Sequence, residues 1–403
     1  MATADDRAGF ATKSHGAADS NLLPVRLRAL MPITERLVYF DHAAVAPLPA
    51  PTRDAIQTWL TQATEQGDVA WQQWAARIEQ LRATSAQLIG AQPTEICLVP
   101  NTTTGISLVA EGYPWREGDN VVTLANEFPS NQYPWMNLAS RGVETRRLAV
   151  NEGIFNLTDL AAACDSRTRI VSVSWVGYAT GWRVDLGAVG ELCRRRGCLF
   201  FLDAIQGLGV FPLDVHAAGV DFLAADGHKW MLGPEGAGLL FIKQEHLNRL
   251  RPLNCGWNSV VAGSDYSRID LTLKPSAARY EGGSQNCCGL MGLAASLDLL
   301  ASLGLSPTSS PIAEQVLAIT DYACERLARL GATFLAPREG EHRSGIVTFQ
   351  IDGQDPHHLR RRLEAAGIIT RYRAGGVRIS PHGYATMEEV DRLVEELSLV
   401  IRH

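Results

Sequence analysis

Asp203 closes an apolar run, Cys198-Leu-Phe-Phe-Leu-Asp203, that reads as a buried strand. Lys229 follows in Ala225-Asp-Gly-His-Lys-Trp230, just ahead of the glycine-rich Gly233-Pro-Glu-Gly-Ala-Gly238. A lysine amine in a glycine-flanked turn can form a Schiff base with an aldehyde. A carboxylate at a strand end can keep a pyridine nitrogen protonated, so that the ring accepts electrons from a substrate carbanion. Together these are the requirements of pyridoxal phosphate chemistry. Gln206 lies one turn past Asp203, where its amide can reach a phenolic oxygen.

A phosphate needs its own cradle. Asn101-Thr-Thr-Thr-Gly105 follows the strand-like Ile96–Val99 and opens a helix. Free backbone N–H groups at a helix start, with the hydroxyls of Thr102 and Thr103, form an anion site. Plain threonine capping gives the same pattern. Gly233–Gly238 is not a nucleotide loop, because no lysine with serine or threonine follows its last glycine. Phe128 comes just after the run Val121–Leu124, where an aromatic ring can stack on a pyridine or simply pack in the core. Arg378, in Val377-Arg-Ile-Ser-Pro381, can hold a carboxylate by two parallel bonds. Arg371 and Arg373 nearby suggest a second anionic group on the substrate, or loop charges in solvent.

These residues need a sheet to position them. The apolar runs Ile96–Val99, Val121–Leu124, Ile170–Val173, Leu199–Leu202, Phe222–Ala225 and Gly238–Ile242 alternate with helical patterns such as 105–111, 134–139 and 186–195. That alternation predicts a mainly parallel sheet covered on both faces, with ligands outside the strand C-termini. Asp68 is expected to cap an amphipathic helix bearing Trp71, Trp74, Ile78, Leu81 and Leu88, stopped at Gly90. Turn residues at Gly304–Pro311 mark a boundary. Beyond it a small α/β domain ends in a helix opened by a capping box, Thr386 to Glu389.

The expected division is a disordered or extended arm over 1–35, a segment over 36–66 packing on the small domain, a large cofactor domain over 67–303 and a small domain over 304–403. The 403 residues suffice for this. A net charge of −6 without a basic stripe argues against nucleic acid as a partner. No apolar stretch is long enough to span a membrane. The eight cysteines form no CxxC pair, hence no disulfide framework or zinc spacing, and a cytoplasmic location is expected.

Seven ordered pieces resemble the class V aminotransferase family of fold-type I pyridoxal phosphate enzymes, which includes cysteine desulfurases, kynureninases, isopenicillin-N-epimerase-like proteins and C–S lyases. They are Tyr39-Phe-Asp-His-Ala-Ala44, Thr102-Thr-Thr-Gly105, Glu127-Phe-Pro-Ser-Asn131, Asp203-Ala-Ile-Gln206, Gly227-His-Lys229, Arg279-Tyr-Glu-Gly-Gly-Ser284 and Arg378-Ile-Ser380. The resemblance implies an α/β fold-type I enzyme with pyridoxal 5'-phosphate on Lys229. Asp203 partners its ring nitrogen and Gln206 its phenolic oxygen. Phe128 stacks on the ring, where desulfurases have histidine. Thr102 and Thr103 hold the phosphate, and beside the lysine His228 counts with the catalytic residues and Asp226, standing where serine is common, with the cofactor-binding ones. Ser284 reaches the phosphate of a neighbouring subunit, which implies a homodimer. Arg378 binds the substrate carboxylate, with Arg371, His42 and Ala43 in the substrate site.

Desulfurases carry a mobile loop with a nucleophilic cysteine shortly before the arginine that matches Arg378. Here Thr370–Val377 is short and has no cysteine, and Cys287 and Cys288 follow Ser284. A small amino acid is the expected substrate. Transamination, β-elimination of a sulfur substituent and epimerisation stay open, as does a catalytically silent cofactor-binding protein. A desulfurase without the loop cysteine is the less favoured variant.

Overall fold

The protein is described by a computed structural model covering residues 23–150, 154 and 156–401. A two-residue strand, β1 (Val38–Tyr39), comes first. Seven strands then build the central sheet: β2 (Ile96–Val99), β3 (Asn120–Leu124), β4 (Glu144–Leu148), β5 (Thr168–Ser174), β6 (Leu199–Asp203), β7 (Phe222–Asp226) and β8 (Gly238–Ile242). Their order is β2-β8-β7-β6-β5-β3-β4. The pairs from β4 across to β7 are parallel, and β8 runs antiparallel to both β7 and β2. With β8 reversed, β2 points the same way as β7, so every strand but β8 ends at one edge. The mainly parallel sheet expected from the alternating runs is present, and all six runs are strands.

Those runs were legible because strands covered on both faces carry apolar residues at every position. β2, β3, β7 and β8 are buried along their whole length. Each fully buried Val, Leu, Ile or Phe contributes about 1.5–3 kcal/mol. The edge strand β4 went unread, since its sequence Glu-Thr-Arg-Arg-Leu is charged and half exposed, as solvated edges are.

Helix Thr102–Gly112 lies tight against β7. A Cβ on Gly105 would come 2.8 Å from the Ala224 Cβ, so only glycine permits this approach. The close packing brings the helix N-terminus to the edge where the parallel strands end.

The expected Asp68 cap is not formed. Residues Gly67–Ala70 make a 3₁₀ turn, and Trp71 N–H donates to Asp68 O, so the backbone itself satisfies the first amide. The helix Trp71–Leu88 buries Trp74, Ile78, Leu81 and Leu88 but leaves Trp71 exposed. The expected arm needs correcting too. Within its described part, Leu23–Arg28 is helical and Pro32–Glu35 is a 3₁₀ turn, because Leu23, Leu27 and Met31 find a core to enter. Residues 1–22 of that arm lie outside the described residues.

The C-terminal unit has a four-stranded antiparallel sheet, β12-β13-β10-β9, formed by β9 (Ala332–Phe334), β10 (Val347–Ile351), β12 (Arg371–Arg373) and β13 (Gly376–Ile379). β11 (Ile368–Ile369) pairs in parallel with β1. Helices Pro311–Ala328, Pro356–Ala365 and Met387–Ile401 cover it. The capping box at the last helix is formed: Thr386 N–H donates to Glu389 at 3.1 Å, and Glu389 N–H to Thr386 Oγ1 at 3.3 Å. The segment 36–66 divides its contacts. β1 joins the small unit, whereas helix Ala50–Gln66 meets helix Cys287–Ser302, with Thr52 Oγ1 and Ser296 Oγ 2.6 Å apart. No helix among the described residues is long and apolar enough to cross a membrane.

Candidate active site

The strand ends converge on one cavity of about 420 Å³. Asp203 terminates β6 and Asp226 terminates β7. The turn after β7 carries His228 and Lys229 and is closed by Leu232 N–H donating to Lys229 O at 3.0 Å, with Leu232 in the left-handed region at φ 57°. Thr102 and Thr103 start the helix after β2, Phe128 follows β3, and Arg371 and Arg378 arrive from the β12–β13 hairpin. All of them line the cavity, as do Ala43 and Gln206. The sheet thus gathers residues from four separate strand ends, as a doubly covered parallel sheet does.

Lys229 is buried, yet among the described residues nothing accepts a hydrogen bond or forms an ion pair with its Nζ, which stands 5.6 Å from the centre of the Phe128 ring. Burial pushes its pKa down to about 8; Asp203 opposes the shift, and Arg378 adds to it. Asp203 is 2% exposed, and burial pushes its carboxyl up to about 6 against the bond from Ile205 N–H and the attraction of Lys229. An amine that gives up its proton more readily than an ordinary lysine and a reluctant carboxylate therefore face a common space.

Several other groups are positioned by the protein itself. Gln206 Nε2 donates to Ala43 O at 3.0 Å, and Gln206 Oε1 accepts from Trp230 Nε1 at 2.8 Å. That fixes the amide with one Nε2 proton left over. Thr102 Oγ1 accepts from Asp226 N–H at 2.9 Å, and Thr103 Oγ1 donates to Ser130 Oγ at 2.7 Å. Asn101, not a threonine, caps the helix by accepting from Thr104 N–H at 2.8 Å, so Thr102 keeps its own proton for a ligand. His228 Nδ1 is 2.9 Å from Asp226 Oδ2 but misaligned for a hydrogen bond.

One expected substrate-site residue stands elsewhere. His42 is wholly buried behind the cavity, with Nδ1 3.1 Å from Ser380 O and Nε2 2.9 Å from Tyr384 OH, so it cannot touch a substrate. Its neighbour Ala43 takes the wall position instead. Ser284 is exposed and does not line this chain's cavity.

The sequence reading missed Asp41, Tyr178 and Ser130. Asp41 is wholly buried and binds two arginines at once: Oδ1 is 3.0 Å from Arg378 Nη2 and Oδ2 is 2.8 Å from Arg371. Tyr178 packs edge-on against Phe128 with centres 5.2 Å apart, and its carbonyl accepts from Arg378 Nη1 at 2.8 Å. Asp41 sat inside a quoted motif, but its partners are more than three hundred residues away. Tyr178 sits in the irregular loop after β5, with no periodic signal.

The donor set fits pyridoxal phosphate. At the cavity, Arg378 Nε is buried without a hydrogen-bond partner and Gln206 keeps one Nε2 proton unused, so both have donors to offer a ligand. Hydroxyls and amides at the helix start suit a phosphate, the exposed face of Phe128 suits an aromatic ring, and Lys229 suits an aldehyde.

Comparisons with known proteins agree. A family model described as Aminotransferase class-V matches residues 38–393. A probable cysteine desulfurase of Methanothermobacter thermautotrophicus is 31% identical over 92% of this chain and 96% of its own length. A cysteine desulfurase of Salmonella agona is 31% identical over 94% and 98%. Among solved structures, apo cysteine desulfurase from Thermococcus onnurineus superposes with a TM-score of 0.85 at 26% identity, covering 94% of this chain and 98% of that one. The cystine C-S lyase C-DES, in complex with its product cysteine persulfide, gives 0.85 at 26%, covering 91% and 99%.

Proposed function

The chain belongs to the class-V aminotransferase family and is a pyridoxal-phosphate-dependent enzyme; we propose that it is a C–S lyase, cleaving the Cβ–S bond of a small sulfur-containing amino acid by β-elimination. The observation that carries this reading is the absence of a thiol from a cavity otherwise equipped for the family's chemistry. None of the eight cysteines lines it. β12 and β13 join through only Ala374 and Gly375, both at positive φ, so the hairpin has no room for a mobile nucleophilic loop. A route through an enzyme-bound persulfide lacks its nucleophile. Elimination does not need one.

When bound, the cofactor supplies an electron sink for a carbanion at the substrate Cα. Lys229 would hold its aldehyde carbon, Asp203 its ring nitrogen, Gln206 its phenolic oxygen and Phe128 one ring face. Thr102, Thr103 and His228 would hold its phosphate, with the Asp226 N–H steadying Thr102. Arg378 already gives two protons, one to Tyr178 O and one to Asp41, so its remaining donors are free to orient a substrate carboxylate. Lys229, freed once the substrate amine takes its place on the aldehyde carbon, would take the Cα proton. The Cβ–S bonding pair would leave on sulfur, which takes up the proton held by Lys229, and addition of water would end the carbon skeleton as pyruvate and the nitrogen as ammonia.

A homodimer completes the proposal. Ser284 is exposed, its neighbour Gly283 lies beside Trp257, and the segment after Trp257 exposes Val261, Tyr266, Ile269 and Leu271, a surface suited to a second copy that could bring Ser284 to the neighbouring cavity. The test of the reaction is a panel of amino acids followed by product mass spectrometry. Pyruvate and thiol in equal amounts support elimination. A keto acid that forms only with an amino-group acceptor would indicate transamination and overturn it.

A further inference from the structure

The β12–β13 hairpin presents three guanidiniums to the cavity. Arg371 and Arg378 are direct cross-strand partners. Arg373, two residues beyond Arg371, lies on the same face. All three line the cavity. Like charges opposed across a strand pair repel, so the arrangement needs anions to hold it. Asp41 supplies one and is shared by Arg371 and Arg378. Arg373 donates from Nη1 to the neighbouring Tyr372 O at 3.0 Å, and among the described residues no carboxylate pairs with it. The other acids at the cavity, Asp203 and Asp226, stand at the ends of β6 and β7, across from the hairpin. One substrate carboxylate at Arg378 leaves the Arg373 charge unanswered.

We propose that Arg373 recognises a second anionic group, so that the substrate is an α-amino acid whose side chain ends in a carboxylate or sulfonate. That this group sits on the departing sulfur rests on the C–S lyase reading. The preference for a doubly anionic ligand rests on the hairpin alone. Arg373 is partly exposed at the turn end of the hairpin, which suits contact with the distal end of a substrate.

The test is calorimetric titration of the holoenzyme at low ionic strength with glutarate and with its monoamide, glutaramate, which match in shape and differ in one charge. The wild-type protein is expected to bind glutarate tighter by on the order of tenfold or more, as a charge-assisted pair gives. Arg373→Gln is expected to bring the two within about twofold, and Arg373→Lys to keep part of the preference. Equal binding by the wild type overturns the proposal, even if the glutamine variant fails to fold. So does an undiminished preference in a folded Arg373→Gln protein. If no thio-amino acid yields pyruvate while the glutarate preference and its loss are seen, the lyase reading falls and this inference stands.

Discussion

Asp41 accepts from Arg378 at 3.0 Å while its other oxygen holds Arg371 at 2.8 Å, and both Asp41 and Arg378 are essentially shut off from solvent. One carboxylate from the N-terminal segment thereby sets the orientation of two guanidiniums from the C-terminal unit. The link also ties the N-terminal segment to the C-terminal unit, beside the pairings of β1 with β11 and Asp41 with Ser380 and the contact of His42 with Tyr384.

Asp41→Asn leaves a buried guanidinium without its counter-charge. Breaking one side of a buried pair typically costs about 3–5 kcal/mol. The variant is expected to melt several degrees below the wild type and to bind substrate carboxylates with altered saturation. Calorimetry and KM measurements check both. An unchanged melting temperature would show that Asp41 does not hold the arginines.

Lys229 has to be neutral to capture an aldehyde. With a pKa near 8, about a tenth of it is neutral at pH 7, against well under a thousandth for an ordinary lysine. Stopped-flow capture of pyridoxal phosphate by the apoprotein is expected to speed up as pH rises and to level off above about 8 to 9. A rate still climbing towards pH 10.5 would place Lys229 in an unperturbed environment.

Asp203 carries the opposite burden. Its carboxyl titrates near 6 in the folded protein, above the ordinary value, so the folded state holds this proton more tightly than the unfolded state. The stability it contributes is greatest below about pH 4 and is lost as pH rises to about 6. Above that, the buried charge costs the apoprotein up to ~3 kcal/mol. Glu127, pushed up to about 7 by burial, has the same sign. Asp203→Asn apoprotein is therefore expected to melt higher than wild-type apoprotein at pH 8, and the Asp203→Asn holoenzyme to have almost no turnover. A lower melting temperature there would contradict the desolvation argument.

Cys287 and Cys288 are partly exposed at the start of helix Cys287–Ser302, away from the cavity wall. The double serine variant is expected to retain the wild-type rate of pyruvate formation. A loss of tenfold or more would restore a thiol route.

How much of this could be read from the chain follows from the kind of interaction. Asp203 and Lys229 were legible because each closes or follows an apolar run that had to be a strand, and strand ends share an edge. Trp71 misled, because its periodic spacing is shared with residues that do face the core. His42 misled in the same way: it neighbours a wall residue, but the turn that begins at Asp41 sends its ring to Ser380 and Tyr384 while Ala43, Ala44 and Val45 line the cavity. Asp41 was out of reach, since nothing near it in sequence hints at its arginine partners.

The most direct test of the central claim is borohydride reduction of the holoenzyme followed by peptide mapping. The account predicts that the cofactor mass is fixed to the peptide containing Lys229, and that Lys229→Ala carries no such label and no visible absorption band. Label on another lysine, or a band that survives in the variant, would contradict it.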